Sequence, residues 1–376
     1  MNKNLLLHFI VILVCSAPSV AGSESPASYM MSDKALPAYT PDKAPPVGTP
    51  GTAHRVYIYD RTHERVIFGG AAYVLNDKGG TLTDPDMSVL YERDLATGTT
   101  RRVVSLPGRE LGIYSVSPDG RYIAVRSWAY GDLGTMTLHV IDPGGHELAR
   151  IGQVWDYAWS PDGNQLVYVT GDYRVGQDGV PSTGVWKYDL RQRTSIKIHD
   201  TGRYVTWGAF DRAVYLLDYA TPSGHPRVWR LNPTDWSPQL TRLKSIYLSP
   251  TGMYYYHPGP TVVNQGQFDV YDVATHTPRF LPPSDLSRRF AWGTEPIGWI
   301  ESGGNQLLFL TWSNPDTGQL DSQPHTMLYD LDAGTIVDTG AEDVIGWKQG
   351  ALITSRQGKI QTEQPGKSRF QGSAPR

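Results

Sequence analysis

Asp156, Arg203, His257 and Arg356 are the side chains of this 376-residue sequence with which a fold could do chemistry, if it gathered them. A carboxylate and an imidazole exchange protons near neutral pH, and two guanidiniums hold an anion or a developing negative charge. Such a set suits a hydrolase or a lyase. No local pattern turns it into a catalytic assignment. No readable pair of acid–base carboxylates and no Ser-His-Asp signature is present, and no Gly-x-Ser-x-Gly turn occurs. Six further residues extend the set: Trp128, Tyr130, Tyr173, Tyr219, Arg289 and Trp312. Flat rings interspersed with charge suit a sugar, a peptide terminus or a protein loop. These ten are the candidate ligand- or partner-binding residues, and no catalytic residue is assigned.

Metal chemistry has weaker support. Asn314-x-Asp316-x-Gly318-x-x-Asp321 and Asp77…Asp84-x-Asp86 offer oxygen ligands of the kind calcium takes, but neither completes the alternating calcium-loop pattern. The ten histidines are scattered without a His-x-x-x-His pair, and Cys15 is the sole cysteine. No cofactor is expected, with calcium as the alternative. A net charge of −3 gives no overall basic field, so nucleic acid is not an expected partner.

The elements that must position these residues are repeated. Residues 114–125 (YSVSPDGRYIAV), 157–169 (YAWSPDGNQLVYV) and 246–256 (IYLSPTGMYYY) each read as a β-rich run, a tight turn and a second β-rich run. Comparable places follow at Asp60, Ser117, Ser160, Gly208, Ser249, Gly293 and Trp347, every 41 to 57 residues. A second marker keeps the same period: apolar runs end in a turn-forming residue at Asp94, Asp142, Asp189, Asn232, Asp272 and Asp330. Each unit reads strand a, turn, strand b, loop, strand c, Asp turn, strand d. Four-stranded units of this length that cannot bury both faces alone stack around an axis. The predicted fold is an all-β propeller of seven four-stranded blades, with six blades and an irregular end as the alternative. The last blade would take its outer strand from residues 28–52. Trp159, Trp207, Trp292 and Trp347 follow the repeat on strand a, so inter-blade packing is their expected role.

The three quoted runs resemble the WD40-like PD40 repeat of the periplasmic TolB propellers, which also occurs in propellers of the dipeptidyl-peptidase and prolyl-oligopeptidase class. Ser117-Pro118-Asp119-Gly120 and Ser160-Pro161-Asp162-Gly163 match fully, while Ser249-Pro250-Thr251-Gly252 departs at the Asp. The resemblance spans roughly residues 54–363 and implies a protein-binding or scaffold module. Two departures weaken its reach. TolB-type proteins carry an α/β domain before the propeller, and the peptidases carry a hydrolase domain; neither is readable here.

In a propeller the b–c and d–a connections share one face. The b–c stretches at residues 76–86, 171–184, 258–267 and 313–325 are long and dissimilar, which is where function concentrates on a rigid scaffold. The ten candidates fall at the ends of strand b and the starts of strand a, together with Asp343, around the mouth of the channel. The expected partner is a protein, in the cell envelope, and the alternative is an oligosaccharide bound by a lectin or a carbohydrate-active enzyme.

Residues 1–22 read as a secretory signal: Lys3, an apolar stretch over residues 5–15 broken by His8, then Ser19-Val20-Ala21. A membrane anchor and lipidation at Cys15 are the alternatives. Residues 23–52 are a Pro- and Ser-rich lead-in, and residues 53–376 the propeller. A chain whose one cysteine lies in the signal fits a bacterial periplasm or exterior, with no membrane span after signal removal.

Overall fold

The computed structural model describes residues 57–60, 62–69, 73–75, 81–83, 88–107, 109–129, 132–171, 182–218, 227–258, 268–279, 294–300, 304–313, 319–339, 343–348, 351–356, 359–363 and 369–371. The signal, the lead-in and the proposed outer strand from residues 28–52 lie outside them.

Six antiparallel sheets carry strands a to d in chain order. Blade 1 comprises Tyr57–Asp60, Arg65–Gly69, Val89–Asp94 and Thr100–Ser105. Blade 2 comprises Arg109–Val116, Ile123–Ala129, Asp132–Ile141 and Glu147–Gly152. Blade 3 comprises Val154–Trp159, Gln165–Gly171, Ser182–Asp189 and Thr194–His199. Blade 4 comprises Tyr204–Trp207, Val214–Asp218, Arg227–Leu231 and Pro238–Leu240. Blade 5 comprises Tyr247–Leu248, Tyr254–Pro258, Phe268–Asp272 and Pro278–Arg279. Blade 6 comprises Thr294–Trp299, Gln306–Ser313, Leu320–Asp330 and Thr335–Asp338.

The seventh start makes an incomplete sheet of Asp343–Lys348, Ala351–Arg356 and Lys359–Glu363. The expectation of seven four-stranded blades is therefore corrected to the alternative, six complete blades and an irregular end. Arg369–Gln371, the next strand, does not complete the seventh sheet. It pairs with Thr335–Asp338 as a fifth strand of blade 6, opposing Phe370 to Ile336. Ile353 of the seventh sheet packs with Val66, Phe68, Val89 and Tyr91 of blade 1, which closes the ring.

The a–b turns repeat one hydrogen-bond scheme. Ser117 Oγ donates to Asp119 at 2.7 Å and accepts the Tyr122 N–H at 2.9 Å, while Asp119 accepts the Arg121 N–H at 3.1 Å. Ser160, Asp162, Gln165 and Asn164 reproduce it at 2.7, 2.9 and 3.1 Å. With Thr251 in place of the Asp the scheme persists but lengthens, to 3.2 Å for Ser249 to Thr251 and 3.3 Å for the Met253 N–H. The glycine is required twice over at Gly163. Its φ is +69°, and a Cβ there would stand 2.7 Å from the Asp119 carboxylate of the preceding blade. The c–d turns follow their marker too: Asp94, Asp189 and Asp272 each accept two N–H bonds from the residues two and three further on, at 2.8 to 3.0 Å.

These turns also interlock. Arg65 donates to the Gly120 carbonyl at 2.9 Å, Arg121 to Asn164 at 2.8 Å, and Thr251 to Asn305. Blades 1 to 2, 2 to 3 and 5 to 6 are thereby tied at one end of the disc. Trp159 and Trp207 pack between blades as expected. Trp159 donates to Ser115 Oγ at 2.9 Å and stacks on Tyr122, and Trp207 meets Trp236 edge-on within the blade 3–4 core. Trp292 lies outside the described residues, and so does the side chain of Trp347. The Gly293 register is corrected, because strand a of blade 6 follows it rather than precedes it. Trp299 holds the repeated place, donating to the Tyr247 carbonyl at 2.9 Å across the blade 5–6 interface.

Candidate functional site

Antiparallel pairing brings the start of strand a and the end of strand b to one end of each blade, and Glu110 opposite Trp128 is an instance. Trp128, Asp156, Arg203 and His257 are fully described at that end. Trp312 and Arg356 lie near the ends of their b strands, and Asp343 opens an a strand, but their side chains are outside the described residues. Tyr130, Tyr173, Tyr219 and Arg289 lie outside altogether. So do most of the four long b–c stretches. Of residues 313–325, the part from Leu320 onward is strand c rather than loop, since Leu320 pairs with Ser313. His257 sits opposite Asp269 in blade 5.

The cluster that the structure does assemble spans blades 2 to 4. Asp156 on strand a of blade 3 accepts the Val205 N–H of blade 4 at 2.8 Å. Strand a is the innermost strand, so one of its edges has no ladder partner, and the carboxylate serves that edge. Asp156 keeps part of its surface open, yet protein surrounds it on nearly every side. The surroundings govern its charge. Burial pushes its carboxyl up to about 6, against the Val205 N–H and the Arg126 charge, which both favour the ionised form. A carboxyl group held near neutrality at a blade mouth can give or take a proton, which marks a functional-site candidate.

Arg126, on strand b of blade 2, was not among the residues expected from sequence. It donates to the Trp155 carbonyl beside Asp156. Two residues on, Trp128 donates its indole N–H to Glu110. Its ring lies over Gly112, where a Cβ would stand 2.1 Å from the ring. The register shift between Leu111 and Tyr114 marks a bulge at this glycine. A glycine inside a strand pattern is the sequence signal from which such a close approach could have been read, and it was missed. Arg203 stacks its guanidinium 5.8 Å from the Tyr204 ring centre.

A second polar set lies in the blade 1–2 interface. Arg109 donates to Ser127 Oγ at 2.7 Å, Ser127 meets His139 Nε2 at 2.7 Å, and His139 Nδ1 meets Glu147 at 2.5 Å. Burial lowers the His139 pKa despite Glu147, so the ring stays neutral. The consistent assignment has Ser127 donating to Nε2 and Nδ1–H donating to Glu147. Against burial, hydrogen bonds from His139 and Arg150 hold Glu147 down at about 2. Serine, imidazole and carboxylate have the order of a hydrolytic triad, but Ser127 is fully buried and His139 is 2% exposed. No substrate reaches them, so the set ties strands a to d together.

Among the described residues no group of three His, Cys, Asp or Glu could hold a metal ion, and no helix is long and apolar enough to cross a membrane. The candidate calcium loops, residues 314–321 and 77–86, fall mainly outside the described set.

No protein-family model and no curated protein matches this sequence, so the PD40 resemblance rests on its turn motifs. Solved structures do match. The β-propeller domain of the Trilobed protease from Pyrococcus furiosus is 12% identical, over 82% of this chain and 92% of that one, with a TM-score of 0.51. TolB from Acinetobacter baumannii is 15% identical over 74% of this chain, which spans 63% of that protein's length, with a TM-score of 0.44. An oligogalacturonate lyase in complex with manganese is 13% identical, over 73% of this chain and 89% of that one, with a TM-score of 0.47. At these identities a likeness speaks to architecture alone. The sheet order and the Trilobed-protease match agree that this chain has the β-propeller fold.

Proposed function

We propose that this chain is an exported propeller, periplasmic or secreted, that binds a protein partner in the cell envelope at the mouth formed by blades 2 to 4. The observation that carries this reading is the pairing of half-exposed aromatic rings with charge at the same end of blades 2 and 4: Trp128 on Glu110, and Arg203 on Tyr204. Trp, Tyr and Arg dominate the energetics of protein interfaces, where they fill well-packed, desolvated pockets. Trp128→Ala is expected to weaken capture of an envelope partner while lowering Tm little. A large loss of stability with binding intact would return Trp128 to packing.

One observation favours a second reading, a carbohydrate-active enzyme or lectin at the same mouth. A carboxyl group with a pKa of about 6, Asp156, suits a general acid. Turnover of an acidic or neutral oligosaccharide that disappears in Asp156→Asn would establish the enzyme and displace the binding module.

A further inference from the structure

We propose that Met253 is a site of reversible oxidation by a peroxide, and that the oxygen it gains fastens blade 5 to blade 6 through Asn305. The repeat sets the position. Met253 follows the turn glycine of blade 5, Gly252, as Arg121 follows Gly120 in blade 2. Asn305 precedes Gln306 in blade 6 as Asn164 precedes Gln165 in blade 3. Each glutamine donates to the c–d turn carboxylate of its own blade, Asp330 at 2.9 Å and Asp189 at 3.2 Å. Between blades 2 and 3 the tie at this place runs from Arg121 to Asn164 Oδ1 at 2.8 Å. Between blades 5 and 6 a thioether takes the place of that guanidinium: Asn305 Nδ2 donates to Met253 Sδ at 3.8 Å. A thioether is a weak acceptor, so this is the weaker of the two ties.

The surroundings suit a stronger acceptor. Asn305 is 2% exposed. Its Oδ1 accepts the Thr251 hydroxyl, and its Nδ2 faces the Asp332 carboxylate at 2.9 and 3.1 Å. An ionised carboxylate only accepts, which fixes the amide with Nδ2 toward Asp332. One Nδ2 hydrogen serves Asp332, leaving the other for the sulfur. In one of the two sulfoxide epimers, an oxygen canted toward the amide falls about 2.9 Å from Nδ2 with no movement of the sulfur. Access differs sharply among the methionines of the described residues: Met253 is 52% exposed, Met136 7% and Met327 0%. The step balances with hydrogen peroxide as oxidant. A sulfur lone pair attacks one peroxide oxygen, the O–O bond breaks and an S–O bond forms. The proton of the transferred oxygen passes to the departing hydroxide as water, and the thioether is oxidised by two electrons.

The test treats the full chain with graded hydrogen peroxide and locates the sulfoxide by peptide mass spectrometry. Solvent exchange of the Asn305 side-chain amide is followed by NMR. Met253 should be oxidised well before Met136 and Met327, and exchange at Asn305 should then slow about fivefold, the size of one added neutral hydrogen bond. Met253→Gln, whose amide oxygen stands near the place of the sulfoxide oxygen, should slow exchange without peroxide. Met253→Leu should show no response to peroxide, and methionine sulfoxide reductase should restore the wild-type rate. Oxidation of Met136 or Met327 as readily as Met253 in the folded protein would overturn the site. Exchange at Asn305 that is unchanged or faster once Met253 is oxidised would overturn the tie. Both deciding measurements are made on the wild-type chain, so neither depends on a variant folding.

Discussion

The turn carboxylates and Asp156, at the other end of the disc, are held in opposite ways. At the turn end, Asp119 and Asp162 are held below the usual carboxylate range: burial opposes this, but hydrogen bonds from their serines and from following N–H groups prevail. Asp94 and Asp189 are lowered chiefly by backbone N–H bonds. At the mouth end, burial wins at Asp156 and raises it to about 6. Ionisation therefore supports the fold at the turns and opposes it at Asp156. Groups that repeat are solvated by their own turn, whereas the group that does not repeat is held at an energetic cost, as functional groups often are.

The packing between blades sets the scale against which both ends are measured. Trp159→Ala should cost about 3 to 5 kcal/mol in urea unfolding, since it removes a large interblade side chain along with its bond to Ser115. A cost near zero would mean that the blades do not rely on this packing.

Asp156→Asn sharpens the contrast directly. The amide keeps an acceptor for the Val205 N–H but carries no charge. The folded pKa of about 6 lies above the unfolded 3.8, so the ionised form is disfavoured in the fold and its cost is complete above pH 6. The variant should be more stable than wild type by about 3 kcal/mol at pH 7.5, and the gap should close as pH falls through 6 to below 3.8. A variant less stable than wild type at pH 7.5 would place Asp156 with the turn carboxylates.

Glu147→Gln should show the reverse sign. Its folded value of about 2 lies below 4.5, so its contribution is complete above pH 4.5 and is lost as pH falls toward 2. A loss of about 2 to 3 kcal/mol at pH 7 that vanishes near pH 2 is expected in the same unfolding series. His139 acts in the same direction. Its lowered pKa means that stability begins to fall as pH drops below 6.5.

The smallest effect separates two spellings of one turn. Ser117→Ala should cost about 1 kcal/mol, and Ser249→Ala less, because the Ser249 bonds are longer. Equal losses in thermal melts would show that the Asp in the third turn position adds nothing to the serine.

Turn chemistry was legible because it is local. The serine, the Asp and the N–H groups they bond lie within five residues, so type and spacing determine the pattern. Asp156 and Arg203 were recognised from their position at strand starts, a consequence of register alone. Arg126 was not, since its meaning depends on Trp155, 29 residues away in another blade. The Ser127–His139–Glu147 chain was missed for a related reason: it depends on which faces of three adjacent strands coincide. Gly293 misled because Trp292 precedes it as a strand residue would, whereas the described strand runs from Thr294 to Trp299. Nothing in the composition of Arg369–Gln371 marks it for blade 6 rather than for the sheet it follows.

That last pairing sets an order of events. The outer edge of blade 6 is synthesised by Asp338, but its covering strand emerges only after the whole seventh sheet has been made. Until residues 369–371 arrive, the row of amides and carbonyls along Thr335–Asp338 stands open to any extended chain nearby. The chain is thus most prone to mispairing between the completion of Asp338 and the arrival of residues 369–371, and a chaperone that shields exposed strand edges would act most usefully in that interval.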